Sequence, residues 1–83
     1  MTSPSKIEIQ DWLVERVATL LQHKPTEIDM EKDLLKYGLD SMAAVTITGD
    51  LEDWLGREIS PTLPYEFNTI SKLSEEIARG AHE

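Results

Sequence analysis

The residues most able to do chemistry in this chain are Asp40 and Ser41, within Leu35-Lys36-Tyr37-Gly38-Leu39-Asp40-Ser41-Met42. The pair falls where an irregular, polar segment gives way to a helical apolar pattern. A hydroxyl at such a junction is exposed, beside unpaired backbone N–H groups and the positive end of the helix dipole. An anion joined to it, a phosphodiester for example, would sit in a favourable field. The plainer reading is that Asp40 or Ser41 caps the helix and does nothing more, and Asp-Ser alone does not separate the two.

Other reactive residue types form no constellation. His23 and His82 stand apart near element ends, with no partner suggesting a metal site or a catalytic base. Asp29, Glu31 and Asp33 alternate like the start of a calcium loop, but the glycine and bidentate glutamate required further on are missing. Gly38 and Ser41 do not form a nucleophile elbow, because Ala43 stands where the second glycine belongs and no strand precedes them. Trp12 and Trp54 flank apolar stripes and are expected to pack at the core edge, not to cage a ligand.

The elements that must position Ser41 follow from periodicity and punctuation. A first helix is expected from near Ser5, which has capping-box spacing to Glu8; Ser3-Pro4 offers a rival start. Ile9, Leu13, Val17, Leu20 and Leu21 form its apolar stripe, and Lys24-Pro25 should end it. Thr26 to Asp40 reads as a long loop with one helical turn, anchored by Ile28, Leu34, Leu35 and Tyr37 and closed by a positive-φ turn at Gly38. Loops this long in small domains often serve function.

A second helix is expected over Ser41 to Leu55, capped by Asp40 or Ser41 and stopped by Gly56. Its core face holds Ala44, Ile47, Leu51 and Leu55, with Trp54 on the flank. Met42, Val45, Thr46, Gly49 and Asp53 face the other way, with Ser41 and Glu52 on one edge. Met42 and Val45 are thus apolar residues that core packing does not explain, and Gly49 costs up to about 1 kcal/mol relative to alanine. A connector over Ile59 to Phe67 should anchor through Leu63, Tyr65 and Phe67, with a one-turn helix at Pro64 to Phe67. A last helix capped by Thr69 uses Ile70, Leu73 and Ile77 and stops at Gly80, and Ala81 to Glu83 should fray.

Size and charge narrow the function classes. A chain of 83 residues predicts one domain, residues 1–83 with a core over about 5–79, too small for a core plus an enclosed active-site cavity. Sixteen acidic residues against eight basic ones give a net charge of −8, which disfavours nucleic acid and anionic membranes and favours basic partner surfaces. With no cysteine, disulfides, thiolate metal sites and cysteine nucleophiles are excluded. No apolar run spans a bilayer and no secretory signal opens the chain, so a cytoplasmic location is expected.

Gly38-Leu39-Asp40-Ser41-Met42, with Tyr37 before the glycine, resembles the phosphopantetheine attachment motif of acyl carrier proteins, particularly the polyketide-synthase kind. Two further blocks extend the likeness: Leu63-Pro64-Tyr65-Glu66-Phe67 with Thr69-Ile70 and Leu73, and upstream Ile28-Asp29 with Asp33-Leu34. It covers roughly Ile7 to Arg79, and three blocks at compatible spacing are far more specific than Asp-Ser alone. Met42 replaces the commoner leucine, a swap similar in size and apolarity. Thr46 stands where many carriers have a glutamate that contacts basic partners, and Gly49 where a larger or polar residue is frequent.

The resemblance implies an all-α bundle of three to four helices with a long first loop, and a carrier rather than an enzyme. It implies that a phosphopantetheinyl transferase, with Mg²⁺, uses the Ser41 hydroxyl to attack coenzyme A at its β-phosphate. The resulting 4′-phosphopantetheine arm would hold acyl or polyketide intermediates as thioesters for acyltransferase, ketosynthase and related synthase enzymes. Gly38, Leu39, Asp40 and Met42 would support the site, Asp40 by orienting the helix start and aiding metal-assisted transfer. Partners would dock on apolar Met42 and Val45 and acidic Asp50, Glu52 and Asp53, although acidic residues on a helix often form only a solvated face. The carrier is expected to be a monomer. The competing reading is a helical interaction module of the same fold that is never modified.

Overall fold

The computed structural model describes residues 4–80. Helix α1 spans Lys6–Leu21, α2 Ser41–Leu55, α3 Leu63–Glu66 and α4 Ile70–Gly80, with no strand among the described residues. The expected all-α architecture is therefore the one observed.

Local chemistry explains most boundaries. Ser5 caps α1 through a complete capping box: its Oγ accepts the Glu8 N–H at 3.2 Å, and the Glu8 Oε1 accepts the Ser5 N–H at 2.8 Å. The Ser3 alternative lies outside the described residues, as do the expected fraying of Ala81 to Glu83 and His82. Helix α1 ends before the expected proline stop: Gln22 adopts a left-handed conformation with φ 61° and donates its N–H to the Ala18 carbonyl. Thr69 caps α4 by accepting the Lys72 N–H on Oγ1 at 3.1 Å.

The core draws on all the long helices. Ile9, Leu13 and Val17 from α1 meet Ala44, Ile47 and Leu51 from α2 and Ile70, Leu73 and Ile77 from α4. α1 packs most extensively against α4. Three buried Ser and Thr hydroxyls border this apolar interior, and all are paired: Thr48 Oγ1 donates to the Ala44 carbonyl at 2.8 Å, Ser74 Oγ donates to the Ser71 carbonyl at 3.0 Å, and Thr69 Oγ1 accepts the Lys72 N–H. Along the α1–α2 seam, Trp12 and Trp54 stack with centroids 5.1 Å apart and planes 5° from parallel; Trp12 packs at the core edge as expected, whereas Trp54 is 38% exposed and covers Trp12 from outside.

The long first crossing contains two 3₁₀ turns, Pro25–Glu27 and Leu34–Tyr37, where the sequence predicts one helical turn. Leu34 and Tyr37 are buried as expected, but Leu35 is 49% exposed and is no anchor. A 3₁₀ turn has three residues per turn, so residues 34 and 37 share a side and residue 35 points elsewhere. Leu39, not anticipated as an anchor, takes the buried position instead. The Tyr37 hydroxyl accepts the Asp29 N–H at 2.6 Å and donates to the Glu27 carbonyl at 3.4 Å, which folds the crossing onto itself. The Leu34 N–H donates to the Asn68 carbonyl and the Ser71 N–H to the Met30 carbonyl, tying the crossing to the start of α4.

The second connector also departs in detail from expectation. α3 begins at Leu63, one residue earlier, and Tyr65 is 41% exposed, not a core anchor. Leu63 and Phe67, four residues apart, point inward together with Pro64, which leaves Tyr65 on the outer side. Arg57 stitches this connector to α4, its Nη2 donating to the Ile77 carbonyl at 2.6 Å, where a cation complements the helix C-terminus.

Candidate functional site

Ser41 is the first residue of α2 and is exposed. Three neighbours place it there. Gly38 turns the chain with φ 99°, a region in which a side chain is strained, and donates its N–H to the Leu34 and Leu35 carbonyls. Leu39 plugs into the core. Asp40 then caps α2, its Oδ1 accepting the Ala43 N–H at 2.8 Å. The two candidate caps are thereby resolved: Asp40 takes the task, and the Ser41 hydroxyl is left free of it.

The first-turn N–H groups of Ser41 and Met42 find no acceptor among the described residues, as the start of a helix leaves them. They supply partial positive charge beside the hydroxyl, suited to a phosphate oxygen. Of the Asp40 carboxylate only Oδ1 is used, so Oδ2 remains available to a cation. A hollow of about 250 Å³ opens alongside, lined by Leu20 and Leu21 from α1 and by Asp40, Met42, Ala43 and Thr46. These residues fit a phosphodiester at Ser41 and an apolar chain beside it.

The exposed face of α2 is as the sequence predicts except at Gly49, which is half-buried. Met42 is 77% exposed and Val45 58%, with Thr46 and Asp53 also in solvent. The Thr46 hydroxyl turns back to the Met42 carbonyl at 3.0 Å.

The three acidic residues on this helix are not equivalent. Glu52 is half-buried, and its Oε2 accepts the Ile59 N–H at 2.9 Å, holding the connector after α2. Asp50 pairs across the α1–α2 seam with Arg16, Oδ2 to Nη1 at 3.6 Å, and the Arg16 guanidinium also lies 5.1 Å from the Trp12 ring centre. Of the three, Asp53 is the exposed one. The Glu52 and Asp50 engagements escape sequence reasoning because each needs a partner brought in by tertiary packing.

The remaining candidates are structural. His23 packs edge-on against Tyr37 at 5.4 Å and lies 3.8 Å from the Glu27 carboxylate. Among the described residues no group of histidine, aspartate and glutamate is placed to hold a metal ion, and no helix is long and apolar enough to cross a membrane.

The family model described as "Phosphopantetheine attachment site" matches residues 11–77. An acyl carrier protein of Teredinibacter turnerae is 35% identical over 71 residues, covering 86% of this chain and 82% of its own. A phenolphthiocerol/phthiocerol polyketide synthase of Mycobacterium tuberculosis is 32% identical over 71 residues, and this chain spans only 4% of its length. Among solved structures, a free-standing peptidyl carrier protein of Acinetobacter baumannii superposes with a TM-score of 0.88 at 33% identity, covering 92% of this chain and 95% of its own. An acyl carrier protein of Anabaena gives 0.86 at 34% identity, covering 98% and 92%. The chain belongs to the phosphopantetheine-attachment family, as an all-helical carrier whose cofactor is covalently held 4′-phosphopantetheine.

Proposed function

We propose that Ser41 bears the arm, and that residues 1–83 form one carrier unit presenting acyl or polyketide intermediates as thioesters to synthase enzymes. The observation that carries the reading is the division of labour at the start of α2: Asp40 caps the helix, leaving an exposed hydroxyl among free N–H groups. During loading, the Ser41 Oγ attacks the β-phosphorus of coenzyme A. A new P–O bond forms, the bridging pyrophosphate P–O bond breaks with departure of adenosine bisphosphate, and the hydroxyl proton passes to a base of the transferase. Asp40, whose Oδ2 is not used by the cap, is the carboxylate that would be available to the Mg²⁺ of that reaction.

In this reading the protein is a substrate and shuttle, not an enzyme. The small open hollow beside Ser41 supports that view, since it encloses no reactive pair of side chains. Acyltransferase, ketosynthase and related enzymes act on the far end of the arm, and the names of the polyketide synthase relatives support a pathway of that class. The charge of −8 suits basic partner surfaces, a monomer and a cytoplasmic setting.

Because the sequence has no cysteine, any thiol on the protein reports the arm. Incubation with coenzyme A, Mg²⁺ and a broad-specificity phosphopantetheinyl transferase should add one titratable thiol to the wild type and none to Ser41→Ala. A wild type that stays thiol-free with several transferases would favour an unmodified interaction module.

A further inference from the structure

We propose that the hollow between the end of α1 and the start of α2 is a resting site for the root of the arm, whose branched dimethyl unit next to the phosphate packs against Leu20, Leu21 and Thr46. The inference rests on the reading of Ser41 as the acceptor and gives the loaded carrier an intramolecular binding site.

The α1–α2 seam is built in rungs four residues apart, the spacing of a helix ridge. Trp12 stacks on Trp54, and one turn further along α1 Arg16 pairs with Asp50. Adding four on α1 and taking four from α2 gives the third rung, Leu20 and Thr46, and both line the hollow. Long or aromatic side chains fill the first two rungs. Thr46 is small, and its Oγ1 turns back to the Met42 carbonyl at 3.0 Å. A fourth rung would need a helical residue opposite Met42, but α1 has already ended at Leu21. The antiparallel register thus leaves a gap of about 250 Å³ at the Ser41 end of the seam.

The walls of the gap are apolar. Leu20 and Leu21 are half-buried and packed on the core, and Ala43 is buried. With its hydroxyl spent on the backbone, Thr46 has a methyl to offer. One carboxylate stands among the lining residues, that of Asp40, whose Oδ2 the helix cap leaves unused. Such a site suits a compact branched hydrocarbon with a hydroxyl donor close by.

Connectivity names the occupant. Ser41 lies between two lining residues, Asp40 and Met42, so any group joined to its oxygen starts beside the gap. In 4′-phosphopantetheine the unit next to the phosphate carries a quaternary carbon with two methyls, then a hydroxyl and an amide carbonyl. That unit has about eight non-hydrogen atoms, and 250 Å³ holds about eight groups of water size at about 30 Å³ each. Its methyls match the leucine wall and its hydroxyl matches Asp40 Oδ2. A chain on the distant thiol would have to double back along the whole arm, whereas the root is held there by its own bond at high effective concentration. A glutamate at position 46, frequent in the carriers this chain resembles, would set a second carboxylate near the phosphodiester, and like charges repel.

The test is nuclear magnetic resonance of the full chain with labelled methyl groups, before and after loading with unacylated phosphopantetheine. Loading should shift the Leu20 and Leu21 methyl signals far more than those of Leu35, which is exposed and outside the gap. Nuclear Overhauser contacts should join the two methyls of the arm to Leu20, Leu21 and Thr46. Thr46→Val keeps the shape and the methyl wall, so the contacts should persist. In Thr46→Glu they should be lost, and the Leu20 and Leu21 shifts should shrink to the level of Leu35. A fully loaded wild type whose arm methyls contact none of these residues would overturn the site. So would contacts made by the acyl chain in place of the dimethyl unit once the thiol is octanoylated, or contacts that survive Thr46→Glu unchanged. A wild type that gains no phosphopantetheine mass is a different failure, seen before any spectrum is taken, and it removes the Ser41 reading itself.

Discussion

The Asp40 carboxylate accepts the Ala43 N–H at 2.8 Å, so the residue before Ser41 caps α2 and the serine keeps its hydroxyl for other use. Asp40→Ala should cost about 1 kcal/mol through loss of the cap. In a domain of this size that is a fall of roughly 4–8 °C in the melting temperature by circular dichroism. Asp40→Asn preserves the cap and should melt near the wild type. If its loading rate nonetheless drops severalfold, the carboxylate charge serves transfer as well as folding.

Glu52 is expected to act on the fold before it acts on any partner, because its carboxylate holds the Ile59 N–H at 2.9 Å. Glu52→Ala leaves that part-buried donor without an acceptor, which should cost about 1–3 kcal/mol. Amide exchange at Ile59 should quicken selectively. Glu52→Gln retains a neutral acceptor and should hold both stability and exchange near wild-type values. Equal behaviour of the two variants would contradict the assignment.

Tyr37→Phe isolates the hydroxyl that organises the first crossing. The ring stays buried, but the Asp29 N–H loses its acceptor. Destabilisation of about 1–3 kcal/mol in urea melts is expected, with faster amide exchange concentrated at Asp29.

The stacked Trp12 and Trp54 should show coupling in a double-mutant cycle of about 0.5–1.5 kcal/mol. The pair lies on the α1–α2 seam, away from the outward face of α2, so each single alanine variant should still load at Ser41. Additive losses of stability would mean that the stack contributes no more than its separate burials.

Which features were legible in the sequence depends on how locally they are determined. Both ends of α2 are announced by nearby residues, Asp40 as cap and Gly56 as left-handed stop, and its bounds agree with expectation. The Ser5–Glu8 box announces α1 in the same way. The end of α1 was not readable, because Gln22 adopts a positive φ that its residue type does not advertise. Leu35 and Tyr65 look like anchors by apolarity alone, yet they lie out of register with the buried residues of their short turns. At the site, exposure of Ser41, Met42 and Val45 followed from periodicity. The partners of Asp50 and Glu52 did not, since Arg16 and Ile59 reach them only through helix packing and chain reversal. An acidic cluster read from the sequence thus resolves into one cross-helix ion pair, one connector clasp and one free carboxylate at Asp53.

The most direct measurement is mass spectrometry of the protein after incubation with coenzyme A, Mg²⁺ and transferase, at the intact and the peptide level. Cleavage after Lys36 and Arg57 releases residues 37–57, in which Ser41 is the one serine. The account predicts one phosphopantetheine per chain, on that peptide and on Ser41. An arm found on any other residue, or a mass gain that survives Ser41→Ala, would contradict it.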